Sequence, residues 1–215
     1  MQSNKVVWLG LAILMAGCGA GEHKTKELSK AFAPTPETRT LERALPPTRA
    51  PSADEFRSMT VVSLLDGRSE RIRITPFGNG VRIREESGCI STRVLDWFSP
   101  SDSYANCGTS KDWHTASGTV RVIDDLYPLT VGSTGRYERR AVSHTGKVST
   151  RETRCEVTDA VEVQGPGKHA RPAYVVTCDD GRVRRTTWYA PGTGPVAYRE
   201  DHHEDGVREA WVRAD

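Results

Sequence analysis

The sequence predicts a mostly β domain, an antiparallel sheet or a curved half-barrel or sandwich-like arrangement, placed after a disordered linker. Three observations predict it. Short runs alternate strictly in polarity: Arg71-Ile72-Arg73-Ile74 and Val81-Arg82-Ile83-Arg84 each put aliphatic side chains on one face and guanidinium groups on the other. Turn dipeptides recur between such runs, at Asp66-Gly67, Asn79-Gly80, Thr145-Gly146, Asp180-Gly181 and Asp205-Gly206. No long stretch after Phe56 carries a helical period. Together they imply about ten strands in about 155 residues. An antiparallel sheet with one wet face accommodates the many Arg and Thr.

Taken in order, the chain divides at residues 1–17, 18–55 and 56–215. It opens Met1-Gln2-Ser3-Asn4-Lys5, and one positive charge precedes the apolar run Val6 to Ala16. That run is shorter than the ~20 apolar residues that span a bilayer, and it fits the core of a secretory signal peptide. From Gly19 to Glu55 the texture is polar, with Pro34, Pro36, Pro46, Pro47 and Pro51 and scattered charges of both signs. Such a segment buries too little apolar surface to offset its ordering entropy and reads as a semi-extended spacer. Its Lys, Glu and Ala content leaves a short helix over residues 22–33 as the alternative.

The boundary Leu14-Met15-Ala16-Gly17-Cys18 resembles the lipobox of bacterial lipoproteins, with Met15 where that family usually has Leu. The resemblance implies that Cys18 is acylated, that the peptide before it is removed, and that several chains hold the protein nearly permanently on a membrane. Gly19, in place of an Asp, implies the outer membrane, with the domain on its periplasmic or surface side.

Without Cys18, four cysteines remain, an even number that implies disulfides in an exported protein. Reflection about Gly165-Pro166-Gly167-Lys168 sets Cys155 opposite Cys178 and Val157 opposite Val176, which leaves Cys89 to pair with Cys107. No C-x-x-C occurs, so a metal or redox site on these cysteines is disfavoured.

Near the C-terminus, Trp188-Tyr189-Ala190-Pro191-Gly192-Thr193-Gly194-Pro195-Val196-Ala197-Tyr198 resembles a W-Y-x-P-G-x-G-x-V-x-Y ending of uncharacterised β-rich domains of bacterial envelope proteins. The resemblance implies an envelope β domain and brings no activity with it. Physically, Pro191 and Gly192 set a turn, while Trp188 and Tyr189 supply buried area or, alternatively, an aromatic binding platform. Arg136, Arg139, Arg140, Arg151 and Arg154 crowd one predicted hairpin. Reflection about Thr145-Gly146 sets Arg139 across from Glu152 and Arg140 across from Arg151. Such a face could bind anionic headgroups or polysaccharide phosphate.

His202-His203-Glu204-Asp205 is the most ligand-like run, but strand neighbours point to opposite faces, and two ligands fall short of the four a structural zinc takes. It reads as a solvated turn. No G-x-S-x-G elbow occurs, and no glycine-rich segment opens a helix as a phosphate cradle requires. No catalytic residue, metal site or cofactor is therefore expected. The net charge of +2 argues against a general nucleic-acid binder, and 36% hydrophobic residues against a polytopic membrane protein. The expected function is that of a non-catalytic binding or structural module of the cell envelope. Its partners would be the membrane, through Cys18, and an envelope protein or cell-wall polymer. The alternatives are a half-barrel binder of an amphiphile and an envelope hydrolase.

Overall fold

The computed structural model describes residues 34–78, 80–107, 110–166 and 169–215. Cys18, the signal peptide and the alternative helix over 22–33 lie outside them. The described residues form thirteen strands and one 3-10 turn, Ala53–Glu55, with no α-helix. The strands are β1 (Thr38–Thr40), β2 (Met59–Ser63), β3 (Ser69–Phe77), β4 (Gly80–Arg84), β5 (Ile90–Arg93), β6 (Ser103–Ala105), β7 (Ala116–Asp124), β8 (Thr134–Ser143), β9 (Val148–Gln164), β10 (Ala170–Asp179), β11 (Val183–Ala190), β12 (Gly194–His202) and β13 (Gly206–Arg213).

From β2 to β13 each strand pairs antiparallel with the next, and β13 returns to pair with β2 through Trp211↔Ser63, Val212↔Val62 and Arg213↔Val61. Twelve strands thus close into an up-and-down barrel, and the even number lets every neighbour be antiparallel. The curved sheet expected from the sequence goes all the way round and leaves no open edge on the ring.

Alternation sets the two faces. Ile72, Ile74, Val81 and Ile83 point inward and are buried, while Arg71, Arg73 and Arg84 point outward and are exposed. On β9 the outward Thr150, Arg154 and Glu156 are exposed too. This is the reverse of a membrane-spanning barrel, whose outward band is apolar. One end of the lumen is filled by apolar side chains, among them Phe56, Met59, Leu126, Leu129, Tyr174 and Tyr189. A second apolar cluster lies on the opposite face of β9–β13, around Trp188, Val163, Ala197 and Val212.

β9 is 17 residues long and changes partner. Its first half pairs with β8, and Val161–Val163 pair with β1. Residues 34–55, expected as part of the spacer, therefore belong to the domain. Besides β1, Thr48 bridges to Leu129, Tyr174 Oη donates to the carbonyls of Leu45 and Pro46, and Leu45 and Ala53 pack on the core. Sparse apolar residues suffice here because the barrel supplies the surface they cover.

The β9–β10 register is the expected one, with Cys178↔Cys155 and Val176↔Val157. Both expected disulfides form, Cys155–Cys178 and Cys89–Cys107, with Cα separations of 4.0 and 4.6 Å. The β8–β9 register differs from expectation by one residue: Arg139 faces Arg151, Glu138 faces Glu152 and Arg140 faces Thr150. The cause is the turn. Ser143 N–H donates to the Lys147 carbonyl across a three-residue loop in which Gly146 takes a φ of 82°, a left-handed position that glycine occupies without strain.

Candidate functional site

The lumen is charged where it is not apolar. Strand parity puts Arg93 on β5, Arg139 on β8, Arg151 on β9 and Arg185 on β11 inside the ring, because Arg151 shares a face with Cys155 and Val157, and Arg185 lies across from Cys178. Glu70, Glu200 and Glu209 point inward from β3, β12 and β13. The arginine side encloses a cavity of about 460 Å³.

The floor of this cavity is the β5–β6 loop, residues 94–102, which turns into the barrel and buries Trp97, Phe98 and Ser99. Asp96 shapes it: Oδ1 accepts the N–H groups of Phe98 and Ser99 at 2.7 Å each, and Oδ2 accepts from Tyr137 Oη at 3.0 Å. Burial raises the Asp96 carboxyl above the usual range, against these hydrogen bonds. Two arginines hold the loop from above. Arg93 Nη1 donates to the carbonyls of Trp97 and Ser99, and Arg139 Nε donates to the Ser101 carbonyl at 2.5 Å. Arg139 also lies over the Tyr104 ring, 5.2 Å from its centroid, which fixes the guanidinium plane.

The rim comes from the β6–β7 loop, which contributes Ser110 and Trp113. The loop is tied down by the Cys89–Cys107 bridge and by His114 N–H donating to the Ser110 carbonyl at 3.0 Å.

Six arginines line the cavity (Arg93, Arg139, Arg151, Arg182, Arg185 and Arg208) against one carboxylate, Asp180. Arg185 is neutralised by Asp180 at 3.4 Å and Glu200 at 3.1 Å, and Arg208 pairs with Asp205. Burial alone would lower Arg185, but Tyr198, Glu200 and Asp180 outweigh it and hold its pKa raised. The other four have no carboxylate within 4 Å among the described residues. Burial lowers both Arg93 and Arg139, and the like charge of Arg185 adds to the effect on each. Arg93 Nε and Arg139 Nη2 are buried with no hydrogen-bond partner among the described residues. Unsatisfied buried donors cost about 1–3 kcal/mol each, and like charges directly across a strand pair repel.

The anticipated arginine face is thus divided by the barrel wall. Arg139 enters the lumen. Arg136 lies outside, paired with Asp124 and, at 4.0 Å, with Glu152, and Arg140 is exposed on the same outer face. Trp188 belongs to the second apolar cluster and not to the lumen. Tyr189 is buried in the apolar half, edge-on to Phe98 with centroids 5.5 Å apart. His202 ends β12 and His203 begins the turn after it, and the two diverge: His202 Nε2 lies 2.7 Å from Glu200 Oε1, and His203 Nε2 lies 3.1 Å from Asp179 Oδ1. Glu204 is exposed in the turn between β12 and β13. Among the described residues no three of His, Cys, Asp and Glu converge to hold a metal ion.

Sequence reasoning missed Arg93, Arg182, Arg185 and Trp113 as site residues. A signal for the wall was present, because extending the inward parity of Cys155 and Val157 back along β9 reaches Arg151 and Ser149. The chain matches no protein-family model, no curated protein and no solved structure.

Proposed function

We propose that this protein is a lipid-anchored binding module of the cell envelope whose barrel holds a small polar solute in its lumen, without catalysis. The observation that carries the reading is the cavity of about 460 Å³, which is within the range of small-molecule sites and is lined by side chains from eight strands and three loops held in place by packing. Two disulfides accord with export to an oxidising compartment. The lipobox resemblance at Cys18 supplies the anchor, and Gly19 favours the outer membrane.

An amphiphile carrier is the weaker reading, because the apolar end that an acyl chain would need is occupied by Phe56, Met59, Leu126, Leu129 and Tyr174. A hydrolase would need a nucleophile at the His202–Glu200 pair, and no serine is hydrogen-bonded to His202 among the described residues. Native mass spectrometry of protein extracted gently from membranes tests the binding reading. A bound small molecule should be released on unfolding and be absent from a Ser149→Trp variant, whose indole fills the cavity. A ligand retained by a folded Ser149→Trp variant, or a lumen that takes up nothing from envelope extracts, overturns it.

A further inference from the structure

The arginine wall narrows the chemistry of that solute. We infer that the lumen selects a small solute bearing an oxyanion, whether carboxylate, phosphate or sulfate, and binds that group among Arg93, Arg139, Arg151 and Arg182. The inference rests on the luminal binding reading and deepens it.

Three guanidinium groups without a carboxylate partner, those of Arg93, Arg139 and Arg151, are gathered on one side of a cavity inside a barrel only twelve strands round, and Arg182, exposed in the β10–β11 turn, lines the same cavity. Arg139 and Arg151 stand directly across from each other on β8 and β9 and both face inward. Asp102 offsets part of the charge on Arg139, but neither guanidinium has a carboxylate within 4 Å among the described residues. The arrangement raises the free energy of the empty barrel, and placing an oxyanion among these charges reverses the sign of the effect.

The arginines also divide the work. Arg93 and Arg139 spend part of their donor sets on the floor carbonyls of Trp97, Ser99 and Ser101, which fixes their heads. Each keeps a buried N–H over, Nε on Arg93 and Nη2 on Arg139, with no acceptor. A guanidinium carries five N–H donors in a fixed fork, so a head anchored at one edge still presents another to a planar or tetrahedral oxyanion. Arg151 and Arg182 have no hydrogen bond from their side chains among the described residues, so they supply charge without holding up the floor. Tyr104, stacked with Arg139, is a positioning residue. Trp113 on the rim faces whatever the oxyanion is attached to, and its apolar surface suits a sugar- or ring-sized body.

The probes are inorganic phosphate, sulfate, benzoate and glucuronate, with glucose as the uncharged counterpart of glucuronate. They are added to the full mature protein and followed by calorimetry and by thermal unfolding. Phosphate without benzoate would assign the site to phosphoryl groups, and benzoate or glucuronate without phosphate would assign it to carboxylates; either supports the inference. Glucuronate should bind at least about tenfold more tightly than glucose, and Arg151→Gln should weaken oxyanion binding about tenfold or more. Because Arg151 holds no part of the floor, this variant should fold. In anion-free buffer it should melt above the parent, since it removes the repulsion from Arg139. A merely structural Arg151 would give the opposite shift. Arg151→Lys should keep part of the affinity. Equal binding of glucuronate and glucose, or an Arg151→Gln variant with unchanged oxyanion affinity, overturns the inference. If an uncharged envelope solute fills the lumen while no oxyanion binds, the anion inference falls and the luminal reading stands. If Ser149→Trp changes nothing, both fall.

Discussion

Replacing Glu209 by Gln should make the barrel more stable in alkaline solution and leave it nearly unchanged in acid. Glu209 points inward from β13, across from Glu200 on β12. Burial pushes its carboxyl up to about 8, the charges of Glu85 and Glu200 add to this, and the Trp211 indole N–H, donating to Oε1 at 2.8 Å, opposes them. In the unfolded chain the same carboxyl titrates near 4.5. Between about 4.5 and 8 the folded protein therefore keeps a proton that the unfolded chain has released. Stability falls as pH rises through that window and stays low above it. Each tenfold change in proton affinity corresponds to about 1.4 kcal/mol, and water in the lumen screens part of the full difference, so the expected loss is about 2–4 kcal/mol. Gln mimics the protonated side chain and still accepts from Trp211, so Glu209→Gln removes the loss. Urea unfolding with disulfides intact, followed by tryptophan fluorescence at about pH 5 and about pH 9, measures it. Parent and variant should differ by less than about 1 kcal/mol near pH 5 and by about 2–4 kcal/mol near pH 9. Parallel pH profiles, or a variant less stable than the parent in alkali, would refute the placement of a desolvated carboxyl at this position.

Replacing Cys155 and Cys178 by Ala and Val should cost about 3 kcal/mol, read as a fall in urea midpoint, because the bridge closes a 23-residue separation. Gly135→Ala should cost about 1–3 kcal/mol in the same assay, since its Cβ would sit 2.7 Å from Leu126 Cβ and 2.9 Å from the Leu126 backbone, and a packed backbone cannot give cheaply. Trp188→Ala should cost about 3 kcal/mol by opening a void in the second apolar cluster, and calorimetry should find luminal binding unchanged because that cluster lies across the wall. Cys18→Ser should abolish acyl labelling and release the protein from membranes. An unacylated parent that partitions to membranes as well as the variant does would sink the anchor.

Strand parity was legible wherever polarity alternates. Ile72 and Ile74 are buried and Arg71 and Arg73 exposed because aliphatic and charged residues occupy opposite faces there. The β9–β10 register was legible because two cysteines and a single Gly-Pro-Gly turn leave one reflection that brings sulfur to sulfur. Parity failed on β8, where Thr134–Ser143 carries charged residues on both faces: Arg139 inside, Arg136, Glu138 and Arg140 outside. No local rule separates an arginine that faces a cavity from one that faces solvent when both alternate with aliphatic or aromatic neighbours. The one-residue error at the β8–β9 turn compounded this, since a slip of one exchanges every side chain across the wall. Closure of the ring was illegible for another reason. It depends on β13 meeting β2, and no feature of either segment names its partner.

That meeting has a consequence for how the molecule is made. Every other neighbour in the ring is also a neighbour in the chain, so the meander can be laid down hairpin by hairpin, and the two bridges, spanning 18 and 23 residues, join segments that are already close. The β2–β13 seam instead joins residues about 150 apart in sequence through three residue pairs. A chain emerging N-terminus first can acquire its crosslinks early yet must wait for β13 before the ring can shut. Until then it is an open sheet with two unsatisfied edges, one at β2 and the other at the most recently formed strand, each able to pair with a second chain.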